Sequence, residues 1–471
     1  MGTRTAARTQ GNSSSLSVIS HRPTPSPSVA ALRLSPARTG DHVNIHRLLV
    51  SVFHGPSAAE FHAQLDEPGY EPADRVVVRD GSEVVAHLRL APQTIQLDGQ
   101  RLAAARFMDL ATAPEYRSRG LATALLSAAE RAAAERGTLL ALTRTRVPRL
   151  FARQGWSVCG RHVFSAAPPR AVLAELGAAA SRLANDEPAA IKLSANVQER
   201  IVVRPMRRVD LPAIVRLYNQ QSANRRGSPV RNEAYWEWLL ARGACDQIYI
   251  AAPSPEPSDL TKLVESIVGY VFVRHFRIVE LVAEQNRDDV SRQLLARVCA
   301  DASEQDGWLV RCDLPPDHPQ HEVFRRAGGD FTNCRELAGE VFMAKLLDPL
   351  AALRVVAPSL GERARAADLP RPAELGIDVR TGGIREASGI VERYRVRLGR
   401  RATEITTGGP SRHKVALRYC DLPALVLGET GSDELAAQGK LKASSRKARL
   451  TAGALFPARA WWRPPLDDLL V

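Results

Sequence analysis

Short apolar runs broken by turn residues dominate the sequence between residues 75 and 112. The run RVVVRDGSEVVAHLRL turns at Asp80-Gly81, and the run PQTIQLDGQRLAAARFMDLA turns at Asp98-Gly99. Asp-Gly between apolar runs is a strong signal for a tight β-hairpin. The pattern therefore predicts antiparallel strands that are joined at these two dipeptides.

A helical period replaces this alternation from Gly120 to about Arg136, and Gly137 ends it. Residues 138–143 have the pattern of a strand, and LFARQGW at 150–156 has that of a short helix ended by its glycine. Antiparallel strands that lead into a strand and helix pair are typical of an α+β mixed sheet. We therefore expect the first part of the chain to form one such sheet.

A sequence repeat shows that this unit occurs twice. Each copy begins with a short strand, LRLSPAR or IVVRPMR, followed by a helix that starts near an aspartate, Asp41 or Asp210. The following pairs all differ by 169 in residue number: Pro36 and Pro205, Arg38 and Arg207, Ile45 and Ile214, Phe107 and Phe276, and Leu125 and Leu294. From about residue 348 the pattern changes to a helix, strands with loops, two short helices and the ending LFPARAWWRPPLDDLLV.

The net charge of +13 and the pI near 9.9 raise the question of a nucleic-acid partner. Only seven of the 64 basic residues are lysines, the arginines are scattered through every segment, and aromatic residues make up 5% of the chain. No basic stripe interleaved with aromatic residues occurs, so a nucleic-acid surface is not predicted. The first copy contains an acidic stretch formed by Glu60, Asp66, Glu67, Glu71 and Asp74. We expect this stretch to be a solvated face, and the alternative is that it attracts a polyamine.

The six cysteines lie far apart and form no CxxC or Cys/His cluster, so no metal site and no disulfide framework is predicted. No apolar run reaches the roughly eighteen residues of a membrane helix, which predicts no membrane partner. Residues 1–29 lack the apolar centre of a signal peptide and are rich in Ser, Thr, Pro and Arg. We expect a cytoplasmic protein with a disordered N-terminal tail.

The segment Arg117-Ser118-Arg119-Gly120 opens the alanine-rich helix directly after a strand and a Pro turn. Gly120 permits a tight turn, the first-turn N–H groups of a helix lack intrahelical partners, and the helix dipole favours an anion there. The dinucleotide fingerprint would need three glycines, and a P-loop would need Gly-Lys-Ser/Thr. A capped surface helix is the alternative to the phosphate-binding loop that we predict.

The order Arg-x-x-Gly-x-Ala resembles the acetyl-CoA pyrophosphate loop of the GNAT acetyltransferases, and LFARQGW resembles a second signature of that family. Two such units followed by a small α/β module with the ending WRPPLDDL resemble the enhanced intracellular survival (Eis-like) acetyltransferases of bacteria. That resemblance implies an α+β fold with two tandem GNAT mixed-sheet domains and a C-terminal sterol-carrier-like domain. The implied boundaries are 1–29 for the tail, 30–168 for the N-terminal catalytic GNAT domain, 169–200 for a connecting helix and linker, 201–347 for a degenerate second GNAT domain and 348–471 for the C-terminal domain.

The second copy departs from the loop pattern. At the offset of 169, Gly120 becomes Asp289, Arg117 becomes Asn286 and Arg119 becomes Asp288. Carboxylates would repel a pyrophosphate, so we expect acetyl-CoA to bind only to the first copy.

The resemblance also implies individual roles in the first copy. Backbone groups beside the pantetheine and thioester would be those of Leu110, Ala111 and Thr112, the pyrophosphate would contact Arg117, Ser118, Arg119, Gly120, Leu121, Ala122 and Thr123, and Arg146 and Val147 would touch the cofactor again. The Val471 carboxylate would be the catalytic base, the alternative being an ordinary frayed terminus. Asp109, at the end of the strand, is the fallback base, the alternative being that strand alternation points it to solvent. Phe151 stands where the family usually has an acidic Tyr, so this chain keeps the ring and lacks the hydroxyl.

Together these features predict an acetyl-CoA-dependent N-acetyltransferase that transfers acetyl directly, in a ternary complex, to a primary amine. The acceptor would be a small polyamine, an aminoglycoside-like amine or a lysine. The alternative is a catalytically weak or inert acyl-CoA-binding sensor or scaffold of the same fold, because the phenol is missing. The related proteins form homo-oligomers, which implies the same for this chain.

Overall fold

The computed structural model describes residues 32–186, 201–223, 225–254, 267–380 and 389–468. The N-terminal segment that we predicted to be disordered, residues 1–29, lies outside these ranges. The first range contains, in order, β1 (Leu32–Pro36), α1 (His42–Phe53), α2 (Ala58–Leu65), β2 (Arg75–Asp80), β3 (Glu83–Leu97), β4 (Gln100–Thr112), α3 (Leu121–Glu135), β5 (Leu140–Thr145), α4 (Pro148–Arg153), β6 (Ser157–Val158), β7 (His162–Ala167) and α5 (Pro169–Asp186).

The second part of the chain repeats this succession of elements. It contains β8 (Ile201–Pro205), α6 (Leu211–Ser222), α7 (Glu233–Ala241), β9 (Gln247–Pro253), β10 (Gly269–Arg274), β11 (Arg277–Ala283), α8 (Asp288–Glu304), β12 (Val310–Cys312), α9 (Gln320–Arg326), β13 (Asp330–Cys334), β14 (Glu336–Leu337) and β15 (Glu340–Leu346). The last part contains α10 (Pro349–Ala366), β16 (Ala373–Arg380), β17 (Ile390–Leu398), β18 (Thr403–Thr407), β19 (Lys414–Arg418), α11 (Leu422–Leu427), α12 (Ser432–Ala437), β20 (Leu441–Ala443) and α13 (Arg446–Leu455).

These strands form three mixed sheets. The first sheet has the order β1-β2-β3-β4-β5-β15-β14 with β6 beside β15, the second β13-β7-β12-β11-β10-β9-β8, and the third β18-β17-β16-β19-β20. Parallel pairs are β4 with β5, β11 with β12 and β16 with β19. The predicted α+β class is confirmed, and the arrangement is consistent with two GNAT units followed by an α/β unit. The domain boundaries and the sterol-carrier-like character of the last unit stay predictions.

Each of the first two sheets contains a strand from the other half of the chain. Strand β15 pairs antiparallel with β5 along its length, from Val341 opposite Thr145 to Leu346 opposite Leu140. Strand β7 lies between β12 and β13 of the second sheet. The two copies are therefore interlocked through exchanged strands.

Both predicted hairpins are present. Strand β2 ends at Asp80 and β3 begins two residues after Gly81, while Asp98 and Gly99 link β3 to β4 with φ values of 52° and 73°. Two successive positive φ values are characteristic of a type I′ turn, which suits the twist of a hairpin.

The Asp98 carboxylate, with 5% of its side chain exposed, lies at the junction of the three parts of the chain. Arg226 donates to it at 2.6 and 2.7 Å, Arg459 donates at 3.0 Å, and Arg363 from α10 also pairs with it. One turn of the first sheet therefore holds the second part and the last part against it.

Buried apolar side chains fill both faces of the first sheet. Ile45 and Leu49 of α1 and Leu125 of α3 belong to one cluster with strands β2 to β5, whereas Leu353 of α10 belongs to a cluster shared with the third sheet. Leu466, near the end of the described chain, is fully buried in the cluster formed by α6, α7 and the second sheet. None of the described helices combines the length and the apolar content that crossing a bilayer requires.

Candidate active site

Strands β4 and β5 separate at the centre of the first sheet. Their parallel ladder runs from Ala104 opposite Leu140 to Arg106 opposite Leu142 and continues no further within the described residues. Just beyond it, the Thr143 hydroxyl donates to the Phe107 carbonyl at 2.8 Å. Thr143 thus satisfies a backbone acceptor where the ladder ends, and a gap opens between the two strands.

A β-bulge shapes the β4 side of this gap. His87 of β3 pairs with Ala111 and Arg89 pairs with Met108, so Asp109 and Leu110 together oppose a single β3 residue. Asp109 has a φ of 53°, a left-handed conformation that is uncommon outside glycine. The Ala113 amide donates to β3, and because successive amides point to opposite sides of a strand, the Thr112 amide faces the gap.

A buried histidine holds the bulge in place. The Asp109 carbonyl accepts a hydrogen bond from His87 Nδ1 at 2.9 Å, and Arg75 Nη1 lies 3.2 Å from His87 Nε2. Since Arg75 is always a donor, Nε2 must accept and Nδ1 must carry the proton. Burial, and then the charge of Arg75, lower the pKa of His87 well below its usual value. His87 is therefore a neutral imidazole with a fixed tautomer.

The predicted phosphate loop lies between β4 and α3. Ser118 and Gly120 have φ values of 61° and 78°, and Gly120 is the N-cap of α3, with no side chain capping the helix among the described residues. A Cβ atom on Gly120 would meet nothing within 4 Å, so the left-handed backbone explains the glycine, and crowding does not. The amides of the first helical turn therefore remain available to an anion.

Two arginines flank these amides. Arg117 Nε donates to the Thr112 carbonyl at 3.2 Å, and Arg119 Nη2 donates to the Glu115 carbonyl at 2.9 Å. The Arg119 guanidinium also lies 5.0 Å from the centre of the Tyr116 ring, whose hydroxyl donates to Asp80 at 2.8 Å. Both charges are thus held beside an uncapped helix N-terminus. This arrangement fits the diphosphate of acetyl-CoA by charge and by hydrogen-bonding capacity.

The other two predicted cofactor contacts lie where β5 ends. The Val147 amide donates to the Thr145 hydroxyl at 3.0 Å, and 56% of the Val147 side chain is exposed. Arg146 is exposed as well, with its Nε 4.0 Å from the Glu340 carboxylate. Both residues are therefore at the surface on the β5 side of the gap.

Phe151 lies behind the gap in an aromatic cluster. It is 2% exposed, and its ring stands edge-on to Trp156 at 5.3 Å, while Trp156 stands edge-on to Phe107 at 5.2 Å. Trp156 Nε1 donates to Glu130 of α3 at 2.6 Å. The second signature thus ties α4 to β4 and α3, and Phe151 contributes packing.

The segment Trp461–Asp468, here called the tail, runs from the last unit to strand β4. Arg106 Nη1 donates to the Asp467 carbonyl at 2.8 Å and lies 3.6 Å from the Asp468 carboxylate. Arg106 lies three positions before the bulge at Asp109. Val471, the predicted base, lies outside the described residues.

A buried ion cluster anchors the tail to the second unit. Arg231, which is fully buried, pairs with Asp467 at 2.6 and 3.1 Å and with Glu280 at 2.6 and 2.9 Å. Arg106 also pairs with Glu67, itself bonded to Arg89. This cluster was not predicted from the sequence. The signal for it in the sequence was the pair Asp467-Asp468, which lies among apolar residues near the end of the chain.

The predicted solvated face in the acidic stretch is wrong for two of its members. Glu67 and Asp74 are 8% and 3% exposed, and they pair with arginines, Asp74 with Arg136. Glu67 is neutralised by Arg89 and Arg106, which the first sheet buries, and Asp74 by the partly exposed Arg136 at the end of α3.

The turn before α8 in the second copy differs from the phosphate loop. Helix α8 begins at Asp288, and Asp289 pairs with Arg287 at 3.0 and 3.1 Å. Carboxylates therefore occupy the helix N-terminus that is open in the first copy. No group of three or more His, Cys, Asp or Glu side chains suited to a metal ion occurs within the described ranges.

Comparison with known proteins gives matches to this chain in sequence and in fold. Residues 33–159 match the sequence model of the acetyltransferase (GNAT) domain. No curated protein matches the chain significantly in sequence. Many solved structures match the chain, and those described below, at 16–19% identity, show the fold alone.

Three of these structures cover almost the whole chain. A GCN5-related N-acetyltransferase from Anabaena variabilis is 17% identical, with a TM-score of 0.67 over 92% of this chain and 99% of that one. One from Kribbella flavida is 19% identical, with a TM-score of 0.67 over 92% and 99%. Eis1 from Mycobacterium abscessus is 16% identical, with a TM-score of 0.59 over 91% and 98%.

The domain match has a chemical consequence. GNAT acetyltransferase domains use acetyl-CoA and an acceptor, so acyl-CoA-dependent acetyl transfer is the general chemistry of residues 33–159. The enzyme class predicted from the sequence, an acyltransferase with a GNAT domain, is confirmed.

Proposed function

We propose that this protein is an acetyl-CoA-dependent N-acetyltransferase that acetylates a primary amine by direct transfer in a ternary complex. The observation that supports it best is the uncapped first turn of α3, entered through the left-handed Gly120, next to the gap between β4 and β5. Acetyl-CoA supplies the activated acetyl thioester when it is bound. The residues of this chain must hold the cofactor, recognise the amine and accept its proton.

Binding of the cofactor is assigned to backbone groups and to fixed charge. The amides of residues 118–123 and the guanidinium groups of Arg117 and Arg119 would hold the diphosphate. The Thr112 amide, which faces the gap, would donate to the thioester carbonyl, where a preorganised donor stabilises developing negative charge. Leu110 and Ala111 would line the pantetheine arm, with Arg146 and Val147 on the opposite side.

An amine acceptor is supported by one enclosed carboxylate oxygen. Asp109 Oδ2 is shielded from solvent and has no hydrogen-bond partner among the described residues. A partnerless carboxylate oxygen beside a gap suits an ammonium group, which carries three donors. We therefore assign the recognition of the acceptor amine to the neighbourhood of the bulge.

Two carboxylates are candidates to take the proton from the ammonium. The Val471 carboxylate is one, because the tail reaches β4 at Arg106 and three further residues span up to about 10 Å. Asp109 is the other, because its carboxylate already lies on the bulge. A base at either position would act directly or through water.

The thiolate leaves without a phenol in this proposal. Phe151 offers no proton, and its buried ring packs edge-on against Trp156. General acids contribute about 10²- to 10⁴-fold to a rate, so we expect slow turnover. The same observation favours the second candidate function, an inert acyl-CoA sensor.

The decisive experiment measures coenzyme A binding by calorimetry and thiol release with acetyl-CoA over polyamines, aminoglycosides and lysine peptides. We expect one equivalent of coenzyme A per chain and release with at least one amine. Binding without release over the panel would favour the sensor, and no binding would refute both proposals. Asp109→Asn and removal of residues 469–471 distinguish the two bases, since only loss of the true base should lower kcat at saturating amine by the roughly 10²- to 10⁴-fold that a general base contributes.

A further inference from the structure

A second cavity, of about 720 Å³ including its open mouth, lies where the first sheet, the second sheet and the tail meet. Its lining comes from β5, the β6–β7 connection, β7, β11, β12 and the residue after it, β14, β15 and the tail. No residue of the phosphate loop (117–123) and neither Arg146 nor Val147 lines it. The cavity is therefore distinct from the cofactor site proposed above.

The lining of this cavity carries an excess of positive charge. Five guanidinium groups and two carboxylates line it, namely those of Arg144, Arg161, Arg277, Arg311, Arg463, Asp313 and Asp468. Arg144 also pairs with Glu340, Arg161 with Glu429 and Arg463 with Asp468, so the remaining excess of one positive charge belongs to Arg277 and Arg311, which share Asp313. The imidazole of His162 also lines the cavity, and burial lowers its pKa. That imidazole is therefore neutral near pH 7 and does not change the balance.

Two of the arginines share one buried aspartate. Arg277 donates to Asp313 from Nε and Nη2 at 2.7 and 3.1 Å, and Arg311 does so at 2.9 and 2.6 Å. The Asp313 side chain is 5% exposed, whereas those of the two arginines are 28% and 31% exposed. One carboxylate thus orients two guanidinium groups and leaves Nη1 of each without a partner among the described residues.

This pair is rigid as well as charged. The Arg311 guanidinium lies 3.7 Å from the centre of the Phe164 ring, a stacking distance. Planar guanidinium groups held in this way present parallel N–H donors, the geometry that recognises carboxylate and phosphate groups. The pair is therefore preorganised for an anion.

The remaining wall is aromatic. Trp461, Trp462 and Phe342 line the cavity together with the Leu337 side chain. Flat apolar surfaces next to fixed cations favour a ligand with a planar apolar body and a charged end.

We propose that this cavity binds a small dianion with a planar apolar body, held at its charged end by Arg277 and Arg311. A carboxylate pair and a phosphate monoester both satisfy this chemistry. The ligand would contact the tail, three residues before Val471, and would stabilise its docked position. This site does not depend on the proposed acetyl transfer.

The test is calorimetry on the full chain at low salt with phthalate and with phenyl phosphate, with and without saturating coenzyme A. Each probe has one ring and about two negative charges at pH 7.5, so their comparison separates the carboxylate source from the phosphate source. We expect at least one to bind with a dissociation constant of about 1 mM or tighter. The affinity should be unaffected by coenzyme A.

Arg277→Gln and Arg311→Gln should each weaken binding at least tenfold. Each variant leaves Asp313 paired with the other arginine, so the fold keeps its buried carboxylate neutralised. Arg325→Gln removes the same charge from an exposed position on α9 and should leave the affinity unchanged.

Three results would overturn the proposal: no binding of either probe, competition of the probe with coenzyme A, or an equal loss in Arg325→Gln. If either Arg277→Gln or Arg311→Gln fails to fold, the binding affinity of the other variant is sufficient for the test.

Discussion

Asp467→Asn tests whether the buried ion cluster holds the tail in place. Asp467 has a 1% exposed side chain and accepts from Arg231 Nε at 3.1 Å and from Nη2 at 2.6 Å. Asparagine keeps the shape of the side chain but offers a single acceptor oxygen. Its amide group would meet the guanidinium donor to donor, so one bond is lost and a repulsion is introduced.

The magnitude follows from burial and from the remaining partner. Breaking a buried ion pair costs about 3–5 kcal/mol, and a hydrogen bond to a charged group contributes about 1.5–3 kcal/mol. Because Glu280 continues to neutralise Arg231, we expect the free energy of opening the tail to fall by about 2–4 kcal/mol. At 1.4 kcal/mol for each factor of ten, local opening becomes about 30- to 1000-fold more frequent.

The assay is hydrogen exchange at the tail amides. The Trp462 amide donates to the Arg226 carbonyl at 3.0 Å, and its exchange rate reports opening of the tail. Asp433→Asn is the matched control, because Asp433 and its partner Arg449 are both 66% exposed. A tail exchange rate within threefold of the wild-type rate in Asp467→Asn, or an equal acceleration in the control, would refute the reasoning.

Three further predictions concern the first unit. Gly120→Ala must place an alanine at a φ of 78°, a conformation that costs about 1–2 kcal/mol; we expect coenzyme A to bind about tenfold more weakly by calorimetry, and unchanged affinity would contradict the role of the loop. Phe151→Tyr adds the absent phenol, and we expect kcat to rise at least tenfold at unchanged KM for acetyl-CoA; equal kcat values would show that protonation of the thiolate is not limiting. The lowered pKa of His87 means that its contribution to stability is complete above pH 6.5 and is lost as the pH falls below that value. The melting temperature of His87→Gln should therefore fall less between pH 7.5 and 5.5 than that of the wild type, and parallel falls would refute this account.

Local features were predictable from the sequence because they depend on neighbouring residues. The hairpin turns at Asp80-Gly81 and Asp98-Gly99 and the helix after Gly120 follow from backbone preferences and from the apolar period. The predicted phosphate loop depends on a signal of the same kind, a glycine and two arginines before a helix. Its αL glycine is a local requirement that the sequence displays directly.

The long-range arrangement could not be found by the same means. The ion cluster joins Arg106, Arg231, Glu280 and Asp467, residues that are up to 361 positions apart, and no period connects them. The burial of Glu67 likewise depends on arginines from other strands. Charge alone made the acidic stretch look solvated, since sequence does not reveal which charges meet inside a fold.

Strand pairing raised the same difficulty. β7 and β15 are both short segments of six and seven residues, and each lies between two strands of a sheet whose other strands come mostly from the other half of the chain. Cross-strand pairs contribute only about 0.2–1 kcal/mol each, too little for the sequence of one short strand to identify its partner. Only the packing of the whole chain selects the exchanged arrangement.

The exchange of strands between the two copies determines whether the chain can be divided into fragments that fold. A fragment that stops at residue 168 would expose the backbone N–H and C=O groups of β5 where β15 pairs in the intact protein, and it would carry β7 without its neighbours. Such an open edge invites aggregation. Deleting the second copy would damage the first as well, so neither half can be removed or replaced on its own.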